Sequence, residues 1–210
     1  MAKLQFMHDI ETLGSGDCPT LVTIGSCAFY LDDEPGTVLE KMEFYVDVKD
    51  ATDLGMVPEP TGVMWWMAQS DEARGALVRA ASVGRPLAVT MTHLANWIRG
   101  VVGTFGHNGK ADHWSHPVTF DMIILTKAYE LSGIKKPWGF RDYRDTRTLI
   151  TICQDLDCVV ERPRSLVPHV AVEDAVAQAK WVQLMYQALR DRAIKTPSSL
   201  EAAVEAVSKT

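Results

Sequence analysis

The chain reads as a mixed α/β domain in which helices cover a sheet. Three observations predict this. Three strand-like segments of alternating polarity come first, helical segments with one more strand follow, and no Pro/Ser/Gly-rich linker divides the 210 residues. A chain of that length fills one ordinary core.

The first strand is Leu4 to Asp9. The second is TLVTIGSCAFYL, from Thr20 to Leu31, and the third is KMEFYVDV, whose Met42, Phe44, Val46 and Val48 alternate with polar neighbours. The Asp32 to Gly36 cluster turns the chain between the last two, so the three strands form an antiparallel meander. TGVMWWMAQSDEARGALVRA is helical material. PLAVTMTHLANWIRGVV follows as a helix with Pro86 at its first position, where a missing N–H costs nothing. ADHWSH is a short strand leading into VTFDMIILTKAYELSG, a helix closed by Gly133. DTRTLITICQDL and EDAVAQAKWVQLMYQALRDR are further helices. PSSLEAAVEAVSKT is a last amphipathic one, capped by Ser198 or Ser199. The division expected is one domain over 1–195 and a terminal helix over 196–210.

Composition narrows the classes of function. With 47% hydrophobic and 23% charged residues the chain is a folding one, and no apolar run approaches the ~20 residues that span a bilayer. No membrane association is expected. The start MAKLQFMHDI lacks the basic region, apolar core and cleavage site of a secretory signal, so a cytoplasmic location is the default expectation. Cys18, Cys27, Cys153 and Cys158 form neither a CxxC pair nor a disulfide scaffold and read as reduced, mostly buried thiols. A net charge of −6 argues against sequence-blind binding along a duplex, which needs an electropositive face, but is compatible with gripping a strand end.

The chemistry starts at MHDIETLG. Asp9 and Glu11 stand two apart in an extended segment and share one face, where their charges repel unless a cation lies between them. Asp121 opens a helix whose Ile124, Leu125 and Ala128 place it on the core-facing side. By itself it is an ordinary helix-start acid. In PHVAVEDAVAQA, His169 sits in a loop after Pro168, and Asp174 falls in the first turn of the next helix. Each alone has a bland reading, as a surface histidine and a helix-start acid. Together, four acids and one histidine at strand ends and helix starts can converge.

These residues resemble the DEDD-type 3′ to 5′ exonucleases, histidine subclass. The first motif is Asp9-Ile10-Glu11-Thr12, the second Phe120-Asp121, and the third His169-Val170-Ala171-Val172-Glu173-Asp174. The tyrosine subclass would carry its tyrosine where Val170 stands. TGVMWWMAQSDEARGAL, HWSHPVTFD and YRDTRTL are similar to the phage exonuclease A-like branch, which includes bacterial exoribonucleases, and the likeness runs from about Leu4 to Leu189.

The resemblance implies a ribonuclease H-like mixed sheet with helices on both faces. It also implies that Asp9, Glu11, Asp121 and Asp174 hold two Mg²⁺ or Mn²⁺ ions, with Asp9 bridging and His169 as general base. Hard oxygen donors without a cysteine cluster fit those metals. The substrate implied is a single-stranded DNA or RNA 3′ end, with nucleoside 5′-monophosphates released; a homodimer stays open. Thr12, Leu13 and Gly14 are expected to cradle the terminal nucleotide, a plain turn being the competing reading. Arg147 is expected on a phosphate, against structural ion pairing with Asp142 or Asp145. Trp65, Trp66 and Trp114 read as core rather than as stacking platforms for bases. His113 and His116 do not make a zinc site, and His8 points away from the acids and packs. The rivals are an exoribonuclease rather than a deoxyribonuclease, a non-catalytic nucleic-acid-binding domain on the same fold, and hydrolysis of a small phosphodiester.

Overall fold

The computed structural model describes residues 3–107 and 109–195. Five strands form one sheet in the order β3-β2-β1-β4-β5: β1 Leu4–Thr12, β2 Leu21–Tyr30, β3 Glu40–Tyr45, β4 Ala111–Ser115 and β5 Tyr143–Asp145. β1 to β3 form the antiparallel meander expected, while β4 runs parallel to β1 and β5 parallel to β4. The sheet is therefore mixed, with β1 at its centre. The helices are α1 Val48–Asp53, α2 Pro60–Met67, α3 Asp71–Val83, α4 Leu87–Phe105, α5 Asp121–Ser132, α6 Thr146–Asp155 and α7 Ala171–Lys195.

Strand alternation sorts the core into two layers. Leu4, Phe6 and Ile10 of β1, with Ile24 and Ala28 of β2, pack on Met91, Leu94 and Ile98 of α4 and on Leu125 of α5. Met7, Cys27 and Phe29 face the other way, against Cys153 of α6 and Ala175, Ala179, Val182 and Met185 of α7. Small residues at Ala171, Ala175 and Ala179 let α7 lie close on the sheet. The closest approach is at Gly25 of β2, where a Cβ would come within 2.0 Å of the Ala171 main chain. Helices thus cover both faces.

Several boundaries differ from those the sequence predicts. β1 continues through the acids to Thr12, because β2 keeps pairing with it through Thr23 and Leu21. The carboxylates lie within the central strand and not past its end. β3 stops at Tyr45; Val46 only bridges to Arg85, and the apparent alternation through Val48 runs into α1, which Asp47 caps. Residues 61–80 form two helices, since Ser70 accepts from Ala73 N–H and starts α3 afresh. Pro86 is the residue before α4 and not its first. β5, three residues without an apolar run, has no counterpart in the sequence reading. Gly133 closes α5 with φ +69°, as expected. The helix expected over 196–210 lies outside the described residues. No helix among those described is long and apolar enough to cross a membrane. All four cysteines are free, Cys27 and Cys153 buried and Cys18 and Cys158 half-buried.

Candidate active site

Three elements deliver the acids. β1 raises Asp9 and Glu11 on the face that α7 covers. Asp121, first residue of α5, is 3% exposed; its Oδ1 accepts the Ile10 N–H at 3.3 Å. That bond fixes the acid between its two neighbours on β1. Its other oxygen, Oδ2, is buried without a hydrogen-bond partner among the described residues. Asp174, in the first turn of α7, accepts the His169 main-chain N–H at 2.8 Å. One turn on, Gln178 donates from Nε2 to Asp9 Oδ1 at 2.7 Å.

His169 is held in an uncommon way. Its φ of +63° lies in the left-handed region that side chains other than glycine seldom adopt. The bond to Asp174 secures the backbone, and Trp65 meets the imidazole ring nearly edge-on, at 87° with centroids 4.9 Å apart. Ligand atoms of Glu11, His169 and Asp174 lie within 4.8 Å of one another. The two tryptophans of α2 part company: Trp66 is 1% exposed and donates to Thr12 O at 2.8 Å, while Trp65 is 45% exposed beside the histidine. The expectation that both are core fails for Trp65, because adjacent helical positions point about 100° apart. Trp114 is core, with its N–H on Gln5.

The electrostatics of the cluster are those of like charges forced together. Burial first, then Asp121, Glu11 and Asp174, push the Asp9 carboxyl well above the usual range, with the Gln178 bond pulling the other way. Burial, Asp174, Asp121 and Glu43 push Glu11 up to about 8. Burial raises Asp121 to about 7 against the pull of main-chain N–H groups and of Arg147. Hard divalent cations would reverse every one of these shifts. The all-oxygen carboxylate set and the orphaned Asp121 Oδ2 fit such ions.

The acids line a cleft of about 590 Å³ that Arg147, Arg162, Arg164 and His116 line as well. A second hollow of about 400 Å³ shares Ile10, Glu11 and Phe120 with the cleft and is lined further by Thr12, Gly14 and Trp65. Leu13 lines neither. Its main chain is committed to Thr20 and Glu59, and Gly62 presses on it so closely that a Cβ there would come within 2.5 Å.

Arg147 reaches the cleft because its acidic neighbours are engaged elsewhere. Asp145 accepts the main-chain N–H groups of Arg147 and Val118, and Asp142 accepts that of Gly139. Arg144 instead pairs with Asp112 at 2.7 Å, and Arg141 lies over the Phe140 ring. His113 is buried and bonded to His8, whereas His116 lines the cleft, so the two do not share a site. Gln178, Arg162 and Arg164 are absent from the sequence reading. Gln178 had a signal, since it falls four residues after Asp174 on the same helical face. The arginines, in an irregular proline-bearing segment, had none.

A mixed sheet whose central strand presents paired acids to a third and fourth from flanking helices defines the fold class, ribonuclease H-like. The chain belongs to the family described as the 3′-5′ exoribonuclease Rv2179c-like domain, which matches residues 4–186. No curated protein sequence matches it. Among solved structures it is similar to E. coli exonuclease I in a zinc-bound complex with single-stranded DNA. There the identity is 14% and the TM-score 0.67, over 91% of this chain and 42% of that one. Exonuclease I from Methylocaldum szegediense gives 15% identity and a TM-score of 0.64, over 92% and 41%. Cell-death related nuclease 4 gives 15% and 0.65, over 89% and 64%. At such identities the likeness is one of fold. The chain spans about two fifths of the exonuclease I chains it resembles.

Proposed function

We propose that the protein shortens single-stranded nucleic acid from its 3′ end, one nucleoside 5′-monophosphate at a time, with two Mg²⁺ or Mn²⁺ ions. The observation that carries this reading is the convergence of Asp9, Glu11, Asp121 and Asp174, with Asp121 Oδ2 buried and unpartnered. These four would hold the ions. When bound, the ions supply Lewis acidity, acidifying the attacking water and neutralising charge on the phosphate oxygens. Gln178 orients Asp9, and His169 takes the proton from the water at a ring nitrogen. Trp65 and the Asp174 bond restrict where that ring can stand.

Arg147 neutralises the phosphate beside Asp121. Thr12 and Gly14 shape the hollow for the terminal nucleotide, and Leu13 contributes through its fixed main chain. The family's description favours RNA over DNA as substrate.

The test uses matched RNA and DNA strands labelled at the 5′ end, with Mn²⁺. Stepwise shortening of linear strands and survival of a circular one are expected. Cutting of the circle, or full activity in excess chelator, would overturn the reading.

A further inference from the structure

We propose that Arg162 and Arg164, on the segment between α6 and α7, grip the phosphates upstream of the scissile bond and make the enzyme sensitive to strand length. This rests on the exonuclease reading above.

Both residues line the same cleft as the four acids. Arg74, Arg144 and Arg190 are each paired with a carboxylate and so are not available to phosphate. Arg162 and Arg164 make no ion pair among the described residues. Their planar forks of donors match phosphate oxygens two at a time.

The segment is also indexed to the acids. On α7, Asp174, Gln178 and Trp181 fall at spacings of four and three, so they share one stripe. Trp181 donates to Val160 O at 3.0 Å, and its ring lies 5.7 Å under the Arg162 guanidinium. The helix that brings Asp174 and Gln178 to the acid cluster therefore also fixes the arginine.

Arg147 acts on Asp121, and both Arg147 and Arg162 act on His116, so these cations share the cleft with the acids. A strand whose scissile phosphate lies at the acids would bring its next phosphates within the same cleft as these arginines.

The deciding experiment compares the intact chain with Arg162→Gln/Arg164→Gln on a dinucleotide and on an eight-nucleotide strand. Affinity for a phosphorothioate strand is measured over a salt series. The parent prefers the longer strand. In the variant KM for that strand rises about tenfold, kcat falls far less, and the preference shrinks toward one. Each lost contact lowers the slope of log K against log salt by about 0.7, so two lower it by roughly 1.4. Arg162→Lys/Arg164→Lys keeps the slope while recovering only part of the affinity. Equal loss on both substrates with an unchanged slope would overturn the proposal, as would no loss at all. If the parent binds strands without shortening them, the exonuclease reading falls and the slope still decides this one. If it does neither, both fall.

Discussion

β1 carries two buried polar clusters on opposite faces, one residue apart, and the fold treats them oppositely. On one side His8 is fully buried, with Nδ1 2.8 Å from Ser26 Oγ and Nε2 2.8 Å from His113 Nδ1. Phe6 and His113 stack beside it, and Trp138 tilts against both histidines. Every ring nitrogen of His8 has a partner, and burial holds it neutral, down at about 3. On the other side Asp9 and Glu11 face acids of their own sign, and Asp121 keeps an oxygen with no partner. A satisfied buried network stabilises one structure; an unsatisfied one of like charge is retained for what it can bind.

The sharpest way to break the contrast is to remove charge from the acid face. Asp9→Asn and Asp174→Asn should each lower turnover by about 10³-fold or more, since on the proposed reading each removes a ligand of the ions. Circular dichroism should show both folded. A folded variant retaining a tenth of parental turnover would mean the cluster is not the reaction centre. Next in size, His169→Ala should lower kcat by roughly 10² to 10⁴, with a smaller change in KM. Parental rates across pH 6 to 9 would remove its role as base. Trp65→Ala, which frees the ring without deleting it, should cost about tenfold in kcat and leave the thermal midpoint nearly fixed, because Trp65 is largely outside the core.

The opposite face should answer in stability instead. His8→Ala strands His113 and leaves a void, costing roughly 3 kcal/mol, with kcat per folded molecule retained. Denaturant melts and active-site titration together check this.

pH should separate the faces without mutation, most clearly in chelator. The carboxyls of Glu11 and Asp121 are raised to about 8 and about 7 on folding, so the folded state binds more protons than the unfolded one. Stability is therefore lost as pH rises from about 4 through about 8. His8 and His113 are lowered, so the folded state binds fewer protons and stability is lost as pH falls from about 6.5 toward 3. The two windows overlap between about pH 4 and 6.5, where the opposing slopes offset each other, so the metal-free chain should be most stable there and lose stability above about 6.5. Divalent cation should flatten the alkaline arm and Asp121→Asn should make it shallower; a flat profile from about pH 6.5 to 8 in chelator would contradict the burial of the acids.

The sequence made the convergence of Asp9, Glu11, Asp121, His169 and Asp174 legible because charges on faces that periodicity assigns to a core need a reason. The meander and the closing Gly133 were legible for local reasons, alternation and left-handed backbone. β5 was not, since Tyr143, Arg144 and Asp145 become a strand only by pairing with β4. The extent of β1 was not, since charged residues in a central strand look like its end. Arg162 and Arg164 were not, since they lie in the cleft through tertiary packing, Arg162 over a tryptophan nineteen residues on in α7, which leaves no local trace.

Gly25 belongs to a strand that supplies none of the five converging residues. It nonetheless sets how near α7 comes to β1, because its hydrogen is all that fits against Ala171. A methyl group there would lift the first turn of α7, and with it Asp174 and the His169 loop, off the acids of β1. The protein can thus be silenced while every ionisable group remains in the chain. Such an uncharged lever would give an inactive form for capturing bound strands whose long-range attraction to the protein is unaltered.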